Sequence, residues 1–207
     1  MGFCIFNNVA IAAREALANG MERVMVIDYD AHHGNGTQDA FFADPRVLYV
    51  SLHQWPLYPG TGRIEDVGDE TAFGTTLNIP LPPGATGEAY DRAMTDVVIP
   101  VITRFAPTWL IISAGFDAHQ ADPITDLGLS SGDYGPLTTQ LLALVAPGRR
   151  LVMLEGGYDL AALRDSTAAT LAAMLGVDFA PEPRTTGGPG IANVEAVRTF
   201  WYEHGLL

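Results

Sequence analysis

Five short runs of aliphatic and β-branched residues, at 24–28, 47–52, 76–79, 109–113 and 151–154, limit the fold more than anything else in the chain. A strand with one face in water alternates apolar and polar residues, whereas these runs are apolar at most positions. Strands buried on both faces belong to parallel sheets covered by helices. The stretches 7–19, 37–42, 88–104, 130–145 and 160–175 read as those helices. Asn19-Gly20 stops the first, and Pro107 and Pro147-Gly148 punctuate later ones. Residues 80–87 form a Pro/Gly-rich loop, and 181–190 connect to a last helix near 193–203. The alternation predicts an α/β fold, a doubly wound, mainly parallel sheet with helices on both faces. A chain of 207 residues, 48% of them hydrophobic, can bury one such core.

Reactive residues fall where this fold puts its ligand sites. Asp28, Asp30 and His32 follow the first strand, Ser51 ends the second, Asp117 follows the fourth and Tyr158 the fifth. The carboxyl ends of parallel strands converge on one crevice, so these residues are expected to meet there.

Three motifs supply the chemistry. In Asp28-Tyr29-Asp30-Ala31-His32-His33-Gly34-Asn35-Gly36, residues two apart in an extended segment share a side, so Asp28, Asp30 and His32 can line one face. Taken alone, the run could equally be a polar turn whose histidines cap the next helix. In Ser113-Ala114-Gly115-Phe116-Asp117-Ala118-His119, closing with Asp122-Pro123, small residues bring a carboxylate to the sheet's edge, where it is either a loop cap or a ligand. Asp30, His32 and Asp117 together make a three-ligand set with an open fourth position, the pattern of a catalytic zinc. In Leu154-Glu155-Gly156-Gly157-Tyr158 the glycines free the backbone to aim a phenol, which can donate to a developing oxyanion or simply pack.

Charge and targeting narrow the partners. With 24 acidic and 11 basic residues the formal charge is −13, which repels nucleic acid phosphates and steers cationic molecules or basic peptides inward. The longest apolar runs, such as 109–112, are too short to cross a bilayer, so no membrane partner is expected. The start Met1-Gly2-Phe3-Cys4 lacks the features of a signal peptide. A single cysteine excludes an internal disulfide, and the expected location is the cytoplasm.

Five motifs in order carry a resemblance over residues 2 to about 176. They are Gly2-Phe3-Cys4-Ile5-Phe6-Asn7-Asn8, the Asp28–Gly36 run, Tyr58-Pro59-Gly60-Thr61-Gly62, the Ser113–Asp117 run and Glu155-Gly156-Gly157-Tyr158. The chain resembles the histone deacetylase / acetylpolyamine amidohydrolase family, with Asn35 and Glu155 closer to its class II and bacterial branches. The resemblance implies an arginase/deacetylase-like fold, one Zn²⁺ per chain on Asp30, His32 and Asp117, and Tyr158 polarising an acetamide carbonyl. It makes Asp28 a carboxylate that holds one histidine of a general-base pair. Gly2, Phe3, Tyr58, Gly156 and Gly157 would line a narrow acyl-lysine channel. Potassium sites are implied at Asp28, Asp30, His32, Ser51 and Leu52, and, more weakly, at Phe41, Asp44 and Val47. The implied substrates are an acetylated lysine peptide or an acetylated polyamine. Residues 1–180 would be the C-terminal portion of the catalytic domain, with 181–207 a linker and terminal helix.

The same resemblance places a Pro-Gly-His-His segment a few residues before Gly-Phe-Cys, and this chain starts at Met1. The expectation is therefore that it lacks the general-base pair and the opening strands. General acid–base catalysis is worth roughly 10²- to 10⁴-fold, so the chain alone is expected to be very weak or inactive. His33, His53, His119 and His204 are scattered, and His33 reads as a packed or hydrogen-bonded neighbour. Three other readings stay open. An arginase-like hydrolase with two manganese ions needs a carboxylate where Gly34 stands. A non-catalytic protein could bind acyl-lysine without turnover. A fragment with an uncovered sheet edge would tend to aggregate or oligomerise. Cys4, Trp109 and Trp201 are expected to pack, and 65–70 to be a solvated acidic loop.

Overall fold

The computed structural model describes residues 3–207; Gly2, expected to line the channel, lies outside them. The five strands form where expected, as β1 (Val24–Asp28), β2 (Val47–Gln54), β3 (Thr76–Leu81), β4 (Trp109–Ala114) and β5 (Arg150–Leu154). All pair in parallel, in the order β3-β2-β1-β4-β5. Every residue of β1, β2 and β3 is buried, the two-sided burial that the apolar runs require.

Helices cover both faces. Strand residues alternate between two cores: Met25, Ile27, Leu48 and Val50 enter the larger, while Val24, Val26, Val47 and Tyr49 enter the smaller. On the smaller side lie α1 (Asn8–Ala18), capped by Asn7 Oδ1 accepting from Ala10 N, and α2 (Asn35–Phe41). On the larger side lie α3 (Gly87–Ala93), α4 (Ile99–Phe105), α5 (Ser131–Leu142) and α7 (Ile191–Glu203), while α6 (Leu160–Leu175) packs on α5.

The single helix expected over 88–104 contains a π-helical turn, Met94–Val98, between α3 and α4. Pro100 explains it: proline brings no N–H, and its ring crowds the carbonyl four residues back. The widened turn relieves that crowding, and Ile99 N–H reaches the Met94 carbonyl instead.

The segment 181–207 is an integral part of the larger core. Val194, Val197 and Trp201 of α7 are buried in it, and the connection before α7 is laced to α5. Thr185 Oγ1 donates to Asp133 at 2.7 Å and Ser130 Oγ to the Pro183 carbonyl at 2.6 Å.

The sheet's two edges differ. β3 is fully buried beneath α7, whereas β5 is half-buried, and its outer edge pairs with no strand among the described residues. Leu154, Leu160, Leu171 and Leu175 stand exposed beside it. A groove of about 200 Å³ opens there between Val152, Leu154, Leu171 and Met174.

If α7 is part of one cooperative core, Trp201→Ala should cost about 3–5 kcal/mol. Urea unfolding followed by far-UV circular dichroism measures this; a loss below about 1 kcal/mol would mean α7 docks peripherally.

Candidate metal centre

The chain winds outward from β1 through β2 to β3, then returns to place β4 on β1's other side. That makes the β1/β4 boundary the topological switch point, where diverging loops leave a crevice. Asp28 of β1 sits in register with Ser51 of β2 and Ser113 of β4. The loops leaving β1 and β4 therefore carry Asp30, His32 and Asp117 into one place.

Backbone donors fix the carboxylates. Ala31 N–H donates to Asp117 Oδ1 at 2.8 Å, His32 N–H to Asp30 Oδ1 at 2.8 Å, and Gly156 N–H to Asp30 Oδ2 at 3.0 Å. Thr125 Oγ1 donates to the Asp117 carbonyl and holds the loop behind it. His32 Nδ1 lies 2.8 Å from Asp117 Oδ2 and 3.1 Å from Asp30 Oδ1. One donor atom from each residue falls within 4.8 Å of the other two. Ligand bonds of about 2.0–2.2 Å to a tetrahedral ion set ligand atoms about 3.3–3.5 Å apart, which this tripod can meet.

Glycines permit the approach. A Cβ on Gly156 would stand 2.5 Å from Asp117 Oδ2 and 2.8 Å from Asp30 Oδ2. One on Gly115 would collide with Asp30. Gly156 thus packs against the carboxylates of Asp117 and Asp30. Gly157 follows with φ +139°, a backbone that glycine tolerates and that turns the chain toward Tyr158.

The electrostatics are those of a cation site. Burial pushes Asp117 up to about 7, with the Asp30 charge adding to it. Burial also opposes ionisation of Asp30, but hydrogen bonds from His32 outweigh that and hold it down. Burial disfavours the His32 imidazolium, yet the bonds to Asp117 and Asp30 lift it to about 10. A proton on His32 occupies the place that a divalent ion's charge would fill, and the donor set of one imidazole and two carboxylates suits zinc.

The other expected residues divide. Asp28 is buried behind the tripod, pushed up by burial and by Asp30. It accepts from Asp30 N–H at 3.2 Å and Tyr49 OH at 3.3 Å, and among the described residues no imidazole bonds to it. Ser51 and Leu52 lie beside it on β2, whereas Phe41, Asp44 and Val47 gather near the start of β2. Asp44 is clamped there by Arg14 and Arg46, whose hydrogen bonds hold it down at about 2. Tyr158 stands at the crevice mouth, 41% exposed, with its N–H donated to Asp122 Oδ2 at 2.8 Å. Phe3 packs edge-on against it at 5.9 Å but is 82% exposed, and Tyr58 is exposed on its own loop. Cys4 corrects an expectation: its thiol is exposed, 3.8 Å from Glu155, because residues 3–6 lie along the surface rather than in the core. Trp109 is half-buried and Trp201 fully buried.

Two groups that sequence reasoning left unassigned also matter here. Asp122 closes the second motif and anchors Tyr158. A polar network beside the tripod joins buried His33, Gln38 and Asn78 with Thr61, and His53 packs against His33. Its sequence signals were His33, read as a packed or hydrogen-bonded neighbour, and polar residues inside otherwise apolar strands.

Comparisons with known proteins bear on the family and the fold. A family model described as "Histone deacetylase domain" matches residues 1–174. Histone deacetylase 10, chloroplastic, of Oryza sativa subsp. japonica is 46% identical over 180 residues, covering 85% of this chain and 41% of the relative. A probable deacetylase of Archaeoglobus fulgidus is 44% identical over 182 residues, 86% and 51% of the two lengths. The chain thus spans about half the length of these relatives. The crystal structure of the HDA15 HD domain superposes with TM-score 0.89 and 37% identity, covering all of this chain and 58% of that one. The structure of the histone deacetylase Clr3 superposes with TM-score 0.86 and 39% identity, covering 93% and 34%.

Two predictions follow from the tripod. Gly156→Ala should abolish tight zinc uptake while leaving the far-UV spectrum intact; unchanged zinc affinity by chelator competition would contradict the packing described. Metal must displace the proton from His32, so uptake should release about one proton between pH 7 and 10, and more below pH 7 as Asp117 protonates. Affinity should rise with pH over that range, which calorimetry in buffers of different ionisation enthalpy measures; a pH-independent affinity would contradict it.

Proposed function

The chain belongs to the histone deacetylase family, and on that premise we propose that it carries the metal centre of a zinc-dependent amidohydrolase acting on acetyl-lysine or acetylated polyamines. The observation that carries the reading is the convergence of Asp30, His32 and Asp117 within 4.8 Å at the switch point, with Tyr158 at its mouth. When bound, zinc supplies Lewis acidity toward an acyl carbonyl and acidifies water. Asp30 and Asp117 offer two charges against the ion's two, and His32 offers Nδ1 in its neutral form.

Tyr158 supplies the donor. Burial, with Asp117 and Asp30 adding, pushes its phenol up to about 12, so it keeps its proton at neutral pH. It can then donate to the oxygen of an attacked carbonyl. A surface of net charge −13 draws cationic acyl-lysine peptides and polyamines toward the crevice. The proposal gives no place to nucleic acid, and puts the protein in the cytoplasm. A potassium ion near Asp28 and Ser51 is part of the same proposal.

One observation favours a second reading, binding without turnover. Among the described residues, every histidine other than His32 is engaged elsewhere. His33 and His53 are buried in their own network, His119 meets Glu182 at 2.9 Å, and His204 Nδ1 bonds the Phe200 carbonyl. No described histidine is placed to move the proton between water and the leaving amine.

Zinc-loaded chain should bind a hydroxamate, and Asp117→Asn or a chelator should abolish binding. Acetate release from an acetyl-lysine peptide should run below about 1 s⁻¹, and Tyr158→Phe should lower it about 100-fold. Hydroxamate binding with no acetate release at all favours the non-catalytic reading. Failure to bind either zinc or hydroxamate would sink both.

A further inference from the structure

His32 and His33 are neighbours in the bend that follows β1, and their rings face different partners. His32 turns to the carboxylates, whereas His33 turns inward and is buried. Its ring is held at both nitrogens. Nε2 lies 3.0 Å from Gln38 Oε1, and Nδ1 lies 2.8 Å from Thr61 Oγ1. A carboxamide oxygen only accepts, so Nε2 carries the hydrogen and Nδ1 accepts from the Thr61 hydroxyl. His53 stacks beside it at 4.8 Å and repeats the pattern, donating from Nε2 to the Gly62 carbonyl and accepting from Ser51.

Gln38 is the hub of this network. The same Oε1 that receives His33 also accepts from Asn78 Nδ2 at 2.8 Å. One oxygen on α2 thus ties the ligand loop after β1 to β3, with all three side chains buried. Such bonds are strong away from water, and losing the shared acceptor strands two buried donors at once. The space leaves no slack: a Cβ on Gly62 would stand 2.6 Å from both imidazoles.

We propose that Gln38 is a positioning residue for the metal centre, its carboxamide oxygen locking His33 and thereby the aim of His32 at Asp30 and Asp117. The inference rests on reading those three residues as metal ligands. A ligand group must be held within about 0.5 Å of its working geometry, and partners outside the ligand set change affinity about 10- to 100-fold.

The test is zinc affinity by chelator competition, with the visible spectrum of the Co²⁺-loaded full chain as a readout of ligand geometry. Gln38→Met, of similar length but without the acceptor, should lose about 10- to 100-fold in affinity and alter the cobalt bands. Gln38→Glu, which restores an acceptor oxygen, should keep wild-type affinity and spectrum. Thr61→Val, on an exposed loop, removes the other tether and should weaken zinc several-fold even if Gln38→Met fails to fold. Val101→Ala, buried in α4 away from the site, should lower the melting temperature yet leave affinity and spectrum unchanged. Unchanged affinity in Gln38→Met or Thr61→Val, no rescue by Gln38→Glu, or an equal loss in Val101→Ala would overturn the inference. Absence of zinc uptake by the wild-type chain would instead overturn the metal-centre reading beneath it.

Discussion

Two carboxylates facing one another at the edge of a buried sheet are the constraint around which the molecule is arranged. Asp30 and Asp117 lie on either side of one imidazole nitrogen, and each is largely removed from water. Like charges so placed repel strongly where the dielectric is low, and burial makes each costlier still. The arrangement persists because backbone N–H groups of Ala31, His32 and Gly156 point at the oxygens, and because a cation is expected between them. A hydrophobic core alone would never select this geometry. The rest of the fold is arranged to hold it.

The sheet does the holding. Parallel pairing fixes Asp28 against Ser113, so the loops from β1 and β4 depart at one level and Asp30 and His32 meet Asp117. The loop carrying Asp117 is braced in turn by the chain's last third. His119 reaches Glu182, whose carboxylate also accepts from Ser131 N–H at the start of α5. Ser130 and Asp133 form a capping box there, and the same Asp133 receives Thr185. The connection before α7 therefore acts as a strap across α5 that backs the loop behind Asp117. Trp201, buried further along in α7, fastens that strap to the larger core.

What the sequence disclosed and what it withheld follow from the range of the forces involved. The strands were legible because burial on both faces leaves a run of aliphatic residues, and β1 came out at its observed bounds. The tripod was legible because strand ends in a parallel sheet must converge, so spacing along the chain became proximity in space. The π turn was not, since Pro100 disturbs a helix whose apolar spacing continues through it. Nor was the Gln38 network. Gln38 on α2 meets His33 from the loop after β1 and Asn78 from β3, partners that no local pattern links. Cys4 misled for the opposite reason: a small apolar residue in a family motif says nothing about whether its segment is covered.

The parts of the site are not held with equal force, and the difference bears on how it can work. Asp30, His32 and Asp117 are fixed by backbone bonds, by glycines that admit no substituent, and by the polar network beside them. Tyr158 has far less. One hydrogen bond, from its N–H to Asp122, and the turn at Gly157 set its position, while the aromatic ring edge-on against its own belongs to an exposed Phe3. It stands beside the half-buried β5, where Leu154 is 61% exposed and packing is thin. A rigid tripod and a loosely held phenol imply a division of labour. A metal would need only small shifts at the tripod, widening contacts of 2.8 and 3.1 Å toward a ligand spacing of about 3.3–3.5 Å. Tyr158 takes little restraint from its surroundings, so its position depends on whatever packs against it at the crevice mouth.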